Sequence, residues 1–202
     1  MEISSIILAG GRATRMGGID KGLVPLHNKP LIQHVIERLT EQVDEIIINA
    51  NREINQYQSL GYATWQDEIA AFLGPLAGIS LGLKHAKYDY LLTVPCDSPL
   101  LPLDLASRLM AALLENNADI AVATSNGDVH PVFCLCKKSV AKSLDEYLNT
   151  GGRKVSAWQK SQTYIEVDFS DCLDENGNDA FINLNSLEDV TTLELVLKPA
   201  AK

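Results

Sequence analysis

The chain has 202 residues, 26 of them acidic and 17 basic, and a formal net charge of −9. With 46% hydrophobic and 21% charged residues it is no disordered chain, and a chain of this size buries roughly 70% of its unfolded surface in one domain. A sequence pI near 4.9 argues against general nucleic-acid binding and against docking on anionic lipid, but leaves room for an anionic small molecule held by local positive charge.

Short apolar runs alternate with helical stretches. Ile3–Leu8 is β-branched, ends at Gly10-Gly11 and predicts a buried first strand. From Pro30 to Val43 the apolar residues Leu31, Val35, Ile36, Leu39 and Val43 fall at helical spacing. Glu45–Ala50 predicts a second strand and Tyr62–Trp65 a weaker third. A helix is expected over Leu76–Ala86, a strand over Tyr88–Val94, and a helix from Pro102 to about Asn116. Further strands are expected at Ile120–Thr124 and Pro131–Cys136, then a helix at Ser139–Leu148. Late strands are expected at Thr163–Asp168 and Ala180–Leu184, with a loop over Asp171–Asp179 between them. Ser186-Leu-Glu-Asp189 reads as a capping box for a last helix.

Such alternation predicts an α/β fold, a three-layer, Rossmann-like sandwich with a mainly parallel central sheet. Ligands in these sheets bind beyond the carboxyl ends of the strands. No apolar run reaches membrane-spanning length, and the apolar start is too short for a signal peptide. Cys96, Cys134, Cys136 and Cys172 form no paired C-x-x-C units, so zinc is not expected. Cys134 and Cys136 would share one strand face and pack in the core. The expectation is a cytoplasmic protein with reduced thiols.

The first strand leads into Leu8-Ala-Gly-Gly-Arg-Ala-Thr-Arg-Met-Gly-Gly-Ile-Asp-Lys21. Four glycines and three cations here suit an anion-binding turn. Neither the Walker loop nor the G-x-G-x-x-G fingerprint is present. Arg15 and Lys21 can lie against phosphates. Asp97, just past a strand in Val94-Pro-Cys-Asp97, can hold Mg²⁺.

The run Leu8-Ala-Gly-Gly11, Arg15-Met-Gly-Gly18, Asp20-Lys-Gly-Leu23 and Lys29-Pro-Leu31 resembles the molybdenum cofactor guanylyltransferase family, within the nucleotidyltransferase superfamily. Matches continue in order through Asn49-Ala-Asn51, Asp67, Gly74-Pro-Leu-Ala-Gly78, Val94-Pro-Cys-Asp97, His130-Pro131, Gly152-Arg153 and Phe181-Ile-Asn-Leu-Asn185. Thr14 and Val129 depart from the usual pattern, standing where a base and an acid are common.

The resemblance implies one nucleotidyltransferase domain over residues 1–202, its N-terminal part binding nucleotide and its C-terminal part molybdopterin. It implies transfer of GMP from GTP to molybdenum-molybdopterin with release of pyrophosphate. It assigns Arg15, Lys21 and Asp97 to catalysis, with Asp97 holding Mg²⁺. It assigns Leu8, Ala9, Gly10, Gly11, Lys21, Asn49, Asp67 and Asp97 to GTP. It assigns Gly78, His130, Arg153, Asn183 and Asn185 to molybdopterin. Molybdoenzyme apoproteins or their chaperones would be further partners, with no role for nucleic acid or membrane. The alternatives are the cytidylyl-transferring relative or another nucleotidyltransferase, and, from another class, a carrier that holds nucleotide or cofactor without chemistry.

Overall fold

The computed structural model describes residues 1–10, 20–67, 74–173, 177 and 179–197. Its elements are β1 (Ile3–Leu8), β2 (Pro25–Leu26), β3 (Lys29–Pro30), α1 (Leu31–Leu39), β4 (Glu45–Asn49), α2 (Ile54–Gln58), β5 (Ala63–Trp65) and α3 (Pro75–His85). Then follow β6 (Tyr90–Pro95), α4 (Leu105–Glu115), β7 (Ile120–Ser125), β8 (Asp128–Lys137), α5 (Ala141–Asn149), α6 (Val155–Gln159), β9 (Tyr164–Asp168) and α7 (Leu187–Val196).

Seven strands form one sheet in the order β5-β4-β1-β6-β8-β7-β9. Only β8 runs against its neighbours, β6 and β7. The paired isoleucines and leucines explain the layers, because successive strand residues point to opposite faces. Ile7, Ile48 and Leu92 pack with α1 and α4 on one face. Ile6, Ile47 and Leu91 pack with α3, α5 and α6 on the other. Burial of each such side chain contributes roughly 1.5–3 kcal/mol. The expected three-layer α/β sandwich is therefore what forms.

β1 has β4 on one side and β6 on the other. The chain thus leaves β1 in both directions along the sheet, and a crevice opens beyond its carboxyl end. The β2–β3 hairpin sits apart and is covered by α7 through Leu26, Leu184, Val190 and Leu193. This brings residues 182–185 back onto the N-terminal half. The capping box forms as read: the Asp189 N–H donates to Ser186 Oγ at 3.1 Å, and the Ser186 N–H to Asp189 Oδ2 at 2.8 Å.

Four local features differ from the sequence expectation. Ala180–Leu184 is not a strand, although Phe181 and Leu184 are buried. Its apolar residues pack on the core, while the Leu184 N–H is satisfied by the Asp97 carbonyl at 3.1 Å. The strands expected at Ile120–Thr124 and Pro131–Cys136 both form, but the second starts earlier, at Asp128, and the two make a hairpin. Asn126 and Gly127 both adopt positive φ, 50° and 86°, as a two-residue hairpin turn requires. The helix expected to reach Val43 stops at Leu39, where Thr40 Oγ1 donates back to the Ile36 carbonyl at 2.8 Å. Finally, α2 and α6 are five-residue helices, too short for periodicity to reveal.

Candidate active site

Three parallel strands deliver their last residues to one crevice of about 490 Å³. β1 supplies Leu8, Ala9 and Gly10, β4 supplies Asn49, and the turn after β6 supplies Asp97. The strand ends are tied together: the Ala9 N–H donates to the Asn49 carbonyl at 2.8 Å, and the Cys96 N–H to the Leu8 carbonyl at 3.2 Å.

Asp67 enters from beyond β5 and is held by two amides. Asn49 Nδ2 donates to Asp67 Oδ1 at 2.9 Å, and Asn51 Nδ2 to Oδ2 at 2.7 Å. The Asp67 N–H returns a bond to Asn51 Oδ1 at 2.9 Å. Both carboxylate oxygens keep lone pairs, so the group remains a two-point acceptor in a preset plane. Asn51 is a site residue that its position at the strand end did not single out. The signal was Asn49-Ala-Asn51 itself, because residues two apart face the same way at a strand end.

Lys21 Nζ forms an ion pair with Asp97 Oδ2 and donates to Asn185 Oδ1 at 2.8 Å. Asp97 is buried, and its Oδ1 has no partner among the described residues. The segment carrying Lys21 is anchored by Asp20, a buried carboxylate that accepts from Tyr57 Oη and pairs with Arg52 Nη2 at 3.5 Å. Burial pushes the Tyr57 phenol far up, so it stays a donor. Burial likewise pushes the neighbouring Cys96 thiol well up, which makes it an inert packing group.

A second crevice of about 290 Å³ adjoins the first and shares Asp97, Pro95 and Val132 with it. It adds His130, Asn183 and Asn185. It opens where β6 and β8 cease to pair, beyond Thr93↔Cys134. Ser98 Oγ donates to Asn183 Oδ1 at 2.7 Å, fastening residues 183–185 to the Asp97 turn.

The structure thus gathers Leu8, Ala9, Gly10, Lys21, Asn49, Asp67 and Asp97 in one crevice and His130, Asn183 and Asn185 in the next. Gly11 and Arg15 lie outside the described residues. Two others stand apart from both linings. Arg153 Nη1 donates to the Leu148 and Gly152 carbonyls at 3.3 and 2.6 Å, at the carboxyl end of α5. Gly78, on α3, lies under the first crevice: a Cβ there would sit 2.5 Å from both Asn49 Oδ1 and Leu8 Cδ2. Gly78→Ala is therefore expected to cost about 1–3 kcal/mol and to raise the KM for nucleotide by displacing Asn49. Denaturant unfolding and steady-state kinetics check this, and an unchanged KM removes Gly78 from the support of the site.

Cys134 and Cys136 are fully buried in the core. Among the described residues no group of three or more His, Cys, Asp or Glu could hold a metal by itself. One carboxylate completed by substrate phosphates and water is instead the donor set that Mg²⁺ favours, and Asp97 Oδ1, without a partner among the described residues, suits that role.

The family model of the MobA-like NTP transferase domain matches residues 5–163. The chain belongs to that family. Family members generally depend on a metal ion. The chain is 48% identical over 200 residues to the molybdenum cofactor guanylyltransferase of Polynucleobacter asymbioticus, covering 97% of this chain and 98% of that one. It is 46% identical over 189 residues to the enzyme of the same name from Shewanella putrefaciens, covering 94% of each. The protein is a nucleotidyltransferase. Its fold matches molybdopterin-guanine dinucleotide biosynthesis protein A of Archaeoglobus fulgidus with a TM-score of 0.75 at 20% identity, over 97% of this chain and 98% of that one. It matches 4-diphosphocytidyl-2C-methyl-D-erythritol synthase of Anaerococcus prevotii with a TM-score of 0.74 at 14% identity, over 96% and 95%. At these identities the two matches show a shared fold. Among the described residues, no helix is long and apolar enough to cross a membrane.

Proposed function

We propose that this protein transfers GMP from GTP to molybdenum-molybdopterin, forming the guanine dinucleotide and releasing pyrophosphate, in the cytoplasm where the triphosphate is supplied. One domain holds both substrates, the nucleotide on its N-terminal part and the acceptor on its C-terminal part. The observation that carries the reading is Asp97: it belongs to both crevices and is paired with Lys21 between them. The names of the 43–48% identical relatives support the same choice of substrates.

Guanine offers two adjacent donors, N1–H and the 2-amino group. The Asp67 carboxylate, aligned by Asn49 and Asn51, can accept both. Cytosine and adenine cannot present that pair. The backbone of Leu8, Ala9 and Gly10 lies beside the guanosine. In the reaction an oxygen of the acceptor phosphate bonds to the α-phosphorus, and the bond to pyrophosphate breaks. The work of the protein is positioning and charge neutralisation. Lys21 and Arg15 neutralise the triphosphate and the leaving pyrophosphate. Asn183 and Asn185 hold the acceptor beside Asp97. Mg²⁺ held by the Asp97 carboxylate with substrate phosphates would supply further neutralisation of the triphosphate.

Purified protein with Mg²⁺, molybdenum cofactor and each nucleoside triphosphate in turn provides the test. Pyrophosphate and dinucleotide are expected with GTP. Turnover with CTP and not GTP sinks the assignment. Nucleotide binding without turnover points to a carrier instead.

A further inference from the structure

Guanylyl transfer leaves one arrangement beside the second crevice unused. His130, on β8, stacks on Phe181 with centroids 4.6 Å apart and planes 10° from parallel. Its Nε2 lies 2.7 Å from Ser125 Oγ, and Ser125 Oγ lies 2.7 Å from Asp179 Oδ2. Asp179 is itself held, accepting from Asn126 Nδ2 at 3.2 Å and, through Oδ1, from the Phe181 N–H at 2.8 Å.

Proton counting decides the direction of this chain. A carboxylate only accepts, so the single hydroxyl proton of Ser125 goes to Asp179. Ser125 Oγ then offers only lone pairs, and His130 Nε2 must carry a proton to bond to it. In the neutral ring this leaves Nδ1 as a bare acceptor. No described residue bonds Nδ1, and His130 lines the second crevice beside Asn183 and Asn185. We propose that Ser125 and Asp179 are positioning residues that lock His130 in its Nε2–H tautomer, so that Nδ1 accepts an N–H of the pterin ring bound in the second crevice. The ligand in this statement rests on the guanylyl-transfer reading; the lock does not.

Two further observations agree. Burial lowers the His130 pKa, opposed by Asp179 and Asp128, so the neutral ring is favoured at neutral pH. The β7–β8 ladder also shifts register between Val122 and Ala123, pairing Ala123 with His130 and leaving residues 131–133 unpaired. This bulge, around Pro131, aims His130 out of the regular strand pattern. The pairing partner Asp179 closes the 171–179 loop, which gives the end of that loop a role.

The test uses full-length protein labelled with ¹⁵N-histidine. There are four histidines, and His130→Gln identifies the signal. The wild type is expected to show a protonated Nε2 and an unprotonated Nδ1. Ser125→Ala and Asp179→Asn are expected to mix the tautomers and to raise the KM for molybdenum-molybdopterin roughly tenfold. The KM for GTP is expected to stay within about twofold, a split that general destabilisation does not produce. A wild type protonated at Nδ1 overturns the lock. Mixed tautomers in Ser125→Ala with an unchanged acceptor KM overturn the role of Nδ1. A wild type that shows the lock but transfers nothing to the molybdenum cofactor overturns the functional reading and the ligand, while the lock stands.

Discussion

Asp97→Asn is expected to lower the transfer rate about 10³-fold while the fold persists, since removing a preorganised charge from a transition-state site costs roughly 10²–10³-fold. The substitution keeps the shape of the side chain and the Asp97 carbonyl that the Leu184 N–H reaches. It removes the charge that pairs with Lys21 and that suits a metal ion. Lys21→Ala is expected to fall by a similar factor, because the triphosphate loses its cation and the buried Asp97 carboxylate loses its partner. The two changes touch one unit, so the double variant should be far less impaired than the product of the single effects. Steady-state rates with GTP, with the thermal midpoint as a folding control, check the set. A near-normal rate in either single variant removes that residue from the mechanism.

Asp67→Asn is expected to cut kcat/KM for GTP about 10²-fold, in line with roughly 1.5–3 kcal/mol for a hydrogen bond to a charged group. The amide replaces one acceptor with a donor, and that donor faces the guanine edge or the Nδ2 group of Asn49 or Asn51. The effect should concentrate on the base. The wild type should prefer GTP over inosine triphosphate, which lacks the 2-amino group, and the variant should lose most of that preference. Asn51→Ala should act in the same direction with a smaller effect, since it frees one side of the carboxylate and leaves the acceptor in place. The ratio of kcat/KM for the two nucleotides is the measurement. An Asp67→Asn enzyme with the wild-type ratio would remove Asp67 from base recognition.

The opening charge belongs to the same picture. Residues 161–202 carry 9 acids and only 2 bases, so most of the −9 lies in the tail. Those described acids have local work. Asp189 caps α7, its carboxyl held below the usual range by the backbone N–H groups at the helix start. Asp171 pairs with Arg108, whose guanidinium lowers the Asp171 pKa. The crevice itself holds Lys21 against Asp97.

Local chemistry determined a large part of this protein. The isoleucine and leucine pairs of β1, β4 and β6 encode strands buried on both faces, and that double burial demands helices on each side. The residues just after those strands are the ones that line the crevice, because open α/β sheets bind ligands at that edge. Position past a strand marks Asp97, while the parts of Leu8 and Asn49 come from the family resemblance. The Ala180–Leu184 run forms no strand for a related reason: its four apolar residues show burial but not whether a ladder or a packed loop takes them. What the tertiary structure alone decided are the pairings across distance. Asp67 finds Asn51, Asp20 finds Tyr57, Lys21 finds Asn185, and Asp179 finds Ser125, which in turn finds His130. These contacts depend on strand order, on the return of α7 to the β2–β3 hairpin and on the bulge in β8. No periodicity encodes them, because they follow from which elements the whole core brings side by side.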